Sequence, residues 1–129
     1  MAVIFVFSSI PGDEFPQYEG LWDILVKKSG HLLAYGLLAV AFWRALMYGR
    51  NNSGQPTIGA VLASLALTVL YAATDEFHQL FTPGREGTPA DVGIDAAGAC
   101  LGLAAYFALA AIRQTRSRTA RSPASRPPA

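Results

Sequence analysis

Apolar residues fall into long blocks along this chain, and the blocks have the length a bilayer demands. A helix crossing a hydrocarbon core of about 30 Å takes about 20 mostly apolar residues. Three stretches approach that length. Residues 31–49 are broken only by Arg44, near their end; 57–74 are uncharged and can run on as helix to 81; 96–112 are uncharged and can begin as early as Asp91. A fourth stretch, 1–10, is apolar but reaches only ~15 Å as a helix. It lacks the basic start and cleavage pattern of a signal peptide and reads as the outer half of a helix whose beginning is absent. The pattern predicts an all-α fold: a small polytopic membrane helix bundle with three full transmembrane helices and a truncated first one.

The connections are short and carry helix breakers. The first, 11–28, holds Pro11-Gly12 and Pro16; the second, 50–56, holds Asn51-Asn52 and Gly54; the third, 82–89, reads TPGREGTP, with two prolines and two glycines. Such residues set turns by fixing φ or by permitting positive φ. The expected organisation is one transmembrane domain over 1–112 and a disordered tail over 113–129 rich in Arg, Ser and Pro.

Composition agrees with the blocks. Apolar residues make up 52% and charged residues 15%, where a soluble domain carries about a quarter charged residues. Cys100 is the single cysteine, so an internal disulfide is excluded. Net charge is only +1, but the charges are segregated: five arginines and no acid in 113–126, and all nine acids between Asp13 and Asp95. Lys and Arg are retained on the cytoplasmic side of membranes. Placing the 50–56 loop and the tail inside puts seven basic residues there (Arg44, Arg50, Arg113, Arg116, Arg118, Arg121, Arg126) against three outside (Lys27, Lys28, Arg85). The C-terminus is therefore expected in the cytoplasm.

Chemistry gathers at the opposite ends of the same helices. Lys28, His31 and Tyr35 share one face of the second segment by their spacing of three and four; Tyr71, Asp75 and His78 share a face of the third, with Glu76 and Gln79 to either side; Asp91 and Asp95 stack at the start of the fourth; and Arg85 sits in the turn. An ionisable group in a bilayer costs several kcal/mol unless paired or hydrated, so these residues are expected to face one another and a shallow wet cavity. Asp91 also meets the positive end of its helix dipole. His and carboxylates are common zinc ligands, but with no HExxH, no cysteine pair and the two histidines on different helices, no metal and no cofactor is expected. Gly98 and Gly102 form a small-xxx-small motif that lets another helix approach, a neighbour in the same chain in preference to a second copy in a homo-oligomer.

These motifs resemble the VanZ-like family of bacterial membrane proteins over most of residues 5–110. The resemblance is carried by SSIPG from Ser8, by KxxHxxxY at Lys28, His31 and Tyr35, by DEFHQLFTPGR from Asp75 to Arg85, and by Asp91, Gly98 and Gly102. Three features depart from that pattern: Lys27 stands where the family usually has Asp, Asp95 where it often has Asn, and the first helix is short. The resemblance implies four membrane helices in the intact pattern and a multi-pass protein of the bacterial cytoplasmic membrane. It also implies a cell-envelope role associated with resistance to the glycopeptide teicoplanin.

The expected ligand is anionic or amphipathic, a lipid-linked cell-wall precursor or a glycopeptide, held by Lys28, His31, Tyr35, Asp75, Glu76, His78, Gln79, Arg85, Asp91 and Asp95. Arg85 and Lys28 would grip a phosphate or carboxylate. The other partner is membrane lipid, and no nucleic acid is expected. The chain has neither a glycine-rich phosphate loop nor a nucleophile–base motif. Catalysis is therefore the lesser expectation, with Glu76 or His78 as general base or acid; a purely structural or partner-binding bundle is the third. The orientation has a direct test: a cysteine at Gly87 should react with an impermeant thiol reagent in intact cells and one at Ser117 should not, and the reverse labelling would overturn it.

Overall fold

In a computed structural model, residues 2–11, 21–48, 57–85 and 87–121 are described. The connecting segments 12–20 and 49–56, Glu86, the end of the tail at 122–129 and the side chain of Lys27 lie outside the described residues. The chain forms α1 (Ala2–Ser8), α2 (Leu21–Met47), α3 (Ile58–Gln79) and α4 (Pro89–Arg121). Every described element is helical, as the apolar blocks predict. Spans long and apolar enough to cross a membrane occur at Lys28–Met47, Ile58–Gln79 and Pro89–Thr119.

Two boundaries differ from expectation. Helix α2 starts at Leu21, inside the segment assigned to the first connection. No proline lies between Pro16 and Pro56, and Leu21, Leu25 and Lys28 keep a helical spacing. Helix α4 runs on to Arg121, through the first part of the segment expected to be disordered. Between Arg113 and Arg121 the chain has neither Gly nor Pro, and Arg and Gln are good helix formers. At 33 residues, α4 is about 50 Å long and exceeds any bilayer core. Residues 111–119 are all exposed.

Helices α2, α3 and α4 run antiparallel in chain order and pack on one another, while α1 lies on α3. Thr57, the N-cap of α3, donates to Met47 Sδ at the end of α2 (3.8 Å). Arg44, Arg113 and Arg116 thus lie toward one end of the bundle and Lys28, Asp75 and Asp91 toward the other. The segregation of charge along the sequence becomes a segregation between ends.

The interior of α3 decides between a membrane bundle and a soluble one. Its buried residues are Ser64, Thr68, Ala72, Asp75, Glu76 and Gln79, whereas Ile58, Leu62, Leu67, Leu70 and Phe77 are exposed. A helix with polar groups inside and leucines outside is the reverse of the soluble arrangement and suits lipid, where small and polar residues make the helix–helix contacts. Ser64 and Thr68 return their hydroxyls to Val61 and Ser64 carbonyls at 2.8 Å each, which satisfies them without water. Larger apolar groups fill the end away from the acids: Ala39, Trp43 and Met47 pack with Ala99 and Leu103, and Trp43 meets Tyr106 and Phe107 ring to ring at 5.1 and 5.0 Å.

Glycine sets the distance between α2 and α4. A Cβ added at Gly102 would lie 2.5 Å from Gly36 Cα, and one at Gly98 would lie 2.5 Å from the Leu32 carbonyl oxygen. The small-xxx-small face is therefore filled by α2 of the same chain, and its counterpart is Gly36. Gly102→Leu should force the helices apart, lowering the unfolding temperature in detergent and the membrane abundance. Gly93→Ala, where nothing lies within 4 Å of an added Cβ, should be tolerated. Equal behaviour of the two variants would overturn the close-approach account.

Candidate functional site

Three helix ends and one turn build a polar cluster. The turn Thr82–Arg85 closes with Arg85 N–H on the Thr82 carbonyl (3.2 Å), with Pro83 and then Gly84 at φ 69°. That is the type II arrangement, which needs positive φ at its third residue. The chain then meets Thr88, Pro89 and Asp91. Thr88 Oγ1 accepts the Asp91 N–H (3.2 Å) and donates to Asp91 Oδ2 (2.7 Å), so Thr88 caps α4, with Pro89 and Asp91 at favoured first-turn positions. Across the turn, Glu76 Oε2 accepts the Thr88 N–H (3.1 Å). Gly87 lies so close to the Glu76 carbonyl that any Cβ would collide with it. Pro83, which is exposed, is therefore the better position than Gly87 for a labelling cysteine.

Inside, Tyr35, fully buried, donates its hydroxyl to Asp75 Oδ2 (3.0 Å). Gln79 Nε2 donates to the same oxygen (3.2 Å) and to Glu76 Oε1 (3.4 Å). His31 Nδ1 stands 3.3 Å from Oδ1 of Asp95, which is fully buried. At the rim, Lys28 pairs with Asp91 at 2.9 Å, the lysine side chain 46% exposed. Two carboxylate oxygens, Asp75 Oδ1 and Asp95 Oδ2, are buried with no hydrogen-bond partner. By helix rise, Asp75 lies ~6 Å from the end of α3 and Asp95 ~9 Å from the start of α4, so the cluster is shallow.

Lys28, His31, Tyr35, Asp75, Glu76, Gln79, Asp91 and Asp95 thus come together as the spacing suggested. His78 does not join them. It turns to α1, with Nε2 3.3 Å from Ser9 Oγ and its ring 4.8 Å from Phe5. The shared face of Tyr71 and His78 is the one α1 covers, since Tyr71 also hydrogen-bonds the Phe5 backbone. Arg85 reaches back in the direction expected but sends Nε–H to the Ile10 carbonyl (3.2 Å). Its partial burial lowers its pKa, and the fields of Asp75 and Glu76 raise it, so it sits within electrostatic reach of the acids.

Two features escaped the motif reading. Thr88 has a signal, the TPxD pattern of a helix N-terminus; Gly36 has none beyond being a small residue in an apolar run. The expectation that no metal binds also meets a contrary geometry. His31, Glu76 and Asp95, one from each long helix, place their ligand atoms within 4.8 Å of one another.

A model of the VanZ/LLP1 family matches residues 1–111. The chain belongs to the VanZ/LLP1 family. The match covers all four helices short of the α4 overhang, including every residue of the cluster. Neither the curated proteins nor the solved structures yield a match. In this VanZ/LLP1 chain the buried and exposed contacts should differ in weight. Tyr35→Phe removes a buried hydroxyl and leaves Asp75 short of a donor, which costs about 1–3 kcal/mol. Lys28→Ala breaks a half-exposed pair worth about 1 kcal/mol or less. Chemical unfolding in detergent micelles should rank them in that order; the opposite ranking would place the stabilising centre at the rim.

Proposed function

We propose that this VanZ/LLP1 protein binds an amphipathic ligand of the bacterial cell envelope, a lipid-linked cell-wall precursor or a glycopeptide, at the outer face of the cytoplasmic membrane. The observation that carries this reading is a groove of about 350 Å³ between α3 and α4. Its walls are Ala73, Phe77, Leu80, Pro89 and Val92, and Glu76 and Thr88 also line it. Phe77 and Leu80 are exposed on the bundle surface, where the lipid lies. An apolar chain can enter such a groove sideways from the bilayer while its polar head meets the cluster. Most ligand sites share this plan of apolar walls with a few placed polar groups.

Lys28, at the rim beside Asp91, and Arg85, with a planar fork suited to phosphate or carboxylate, are the cations an anionic head would meet. The basic end of the bundle, with the α4 overhang, would then lie in the cytoplasm. A contribution to glycopeptide resistance is part of the same proposal. Binding is better supported than acid–base catalysis, because His78 faces Ser9 and Phe5 and is not paired with Glu76.

The test is ligand retention. The full chain purified in mild detergent should carry a polyprenyl-phosphate-type lipid detectable by mass spectrometry, and its expression should raise teicoplanin tolerance in a susceptible host. Ala73→Phe, which fills the groove from an exposed position, should cut lipid retention several-fold at unchanged membrane abundance. Arg85→Lys should impair it as well, because a point charge does not reproduce the fork. Full retention in both variants would overturn the assignment.

A further inference from the structure

Acidic groups outnumber fixed cations among the described residues of the polar cluster. Among the described residues, Asp75, Glu76, Asp91 and Asp95 face it, while Lys28 and Arg85 are the fixed cations. With all four carboxyls ionised, four negatives would stand against two positives, an excess that protonation of a buried carboxyl or a bound cation would relieve. Protonating His31 would offset only one charge of that excess. Asp75, Glu76 and Asp95 are 3%, 5% and 0% exposed, so water does not make up the difference. A buried uncompensated charge of this kind is strongly unfavourable.

We propose that His31, Glu76 and Asp95 bind one divalent metal ion of the manganese or zinc class. Three observations support it independently of the charge count. The first is reach: two ligands on one zinc-class ion at about 2.0–2.2 Å stand at most about 4.4 Å apart, and the three ligand atoms here lie within 4.8 Å of one another, close to that span. A single ion touches all three with no more than side-chain adjustment. The second is the orphan oxygen. Asp95 is fully buried, its Oδ1 faces His31, and Oδ2 on the same carbon has no hydrogen-bond partner. A metal ion supplies the missing partner. The third is the donor set: one imidazole with two carboxylates suits borderline first-row ions, whereas magnesium and calcium prefer oxygen alone. Glu76 also lines the apolar groove, so a position left open on the ion would be reached from the side where the ligand enters.

This inference concerns the cluster to which the ligand is assigned above but stands without that ligand, so the two are tested apart. The full chain, purified in detergent, stripped with EDTA and re-equilibrated with Mn2+ or Zn2+ alone, should retain one ion per chain after desalting. Asp95→Asn is isosteric and removes a buried charge, so it should fold; its affinity for the ion should fall roughly tenfold or more. His31→Gln should do the same and, with Mn2+, abolish the nitrogen hyperfine coupling in the pulsed EPR spectrum. His78→Gln, on the helix of Glu76 but facing α1, should bind the ion as the parent chain does. No retained ion in a folded parent chain, or equal retention by Asp95→Asn, overturns the metal site. Either result would leave lipid retention to be judged on its own measurement. Loss of lipid with the ion retained would count against the ligand reading alone.

Discussion

A polar group inside a bilayer has no water to fall back on, and the arrangement of this protein follows from that constraint. Helices satisfy backbone amides internally, and each buried hydroxyl of α3 returns to a carbonyl one turn earlier. The carboxylates are only partly served by local donors, Gln79 for Asp75 and Glu76 and Thr88 for Asp91. They must find donors on other helices, which ties α2, α3 and α4 together at one end: Tyr35 to Asp75, His31 to Asp95, Lys28 to Asp91, and Thr88 to Glu76. These contacts need the helix axes close. That closeness is supplied by Gly36, Gly98 and Gly102, where side chains of any size would hold α2 and α4 apart. Glycine packing and acid pairing are thus two halves of one arrangement.

The fold was largely legible because the bilayer imposes a length on apolar runs. The runs at 31–49, 57–74 and 96–112 are cores of the three long helices, and only their ends were misjudged. Hydropathy reports where a helix is buried in lipid and is silent on where it continues into water, so the start of α2 and the overhang of α4 lay beyond its reach. The cluster was legible for a related reason. Helical spacing places Lys28, His31 and Tyr35 together, and antiparallel neighbours bring that face to the end of α3 and the start of α4. Spacing within one helix cannot say which neighbour a face meets. His78 illustrates this, for it shares a face with Tyr71, and that face belongs to α1. The triad His31, Glu76 and Asp95 was hidden because each residue comes from a different helix.

The short α1 explains why Arg85 does not simply lie among the acids. Beyond Ser8 the chain passes through Ser9 and Ile10 to Pro11, where helical hydrogen bonding stops. The Ile10 carbonyl has left the helix, lies against a partly buried turn, and is met by Arg85 Nε–H at 3.2 Å. Ser9 meets His78 and Phe5 stacks on it. Ser9 and Ile10 therefore act as a socket for the end of α3 and for the arginine of the following turn. The bond from Nε–H to a backbone carbonyl fixes the orientation of the guanidinium fork, which lies within the fields of Asp75 and Glu76. A lysine in its place would retain the charge without that directed fork. The chain just after α1 thus acts at the polar end of the bundle by orienting Arg85, a cation within the fields of the acids.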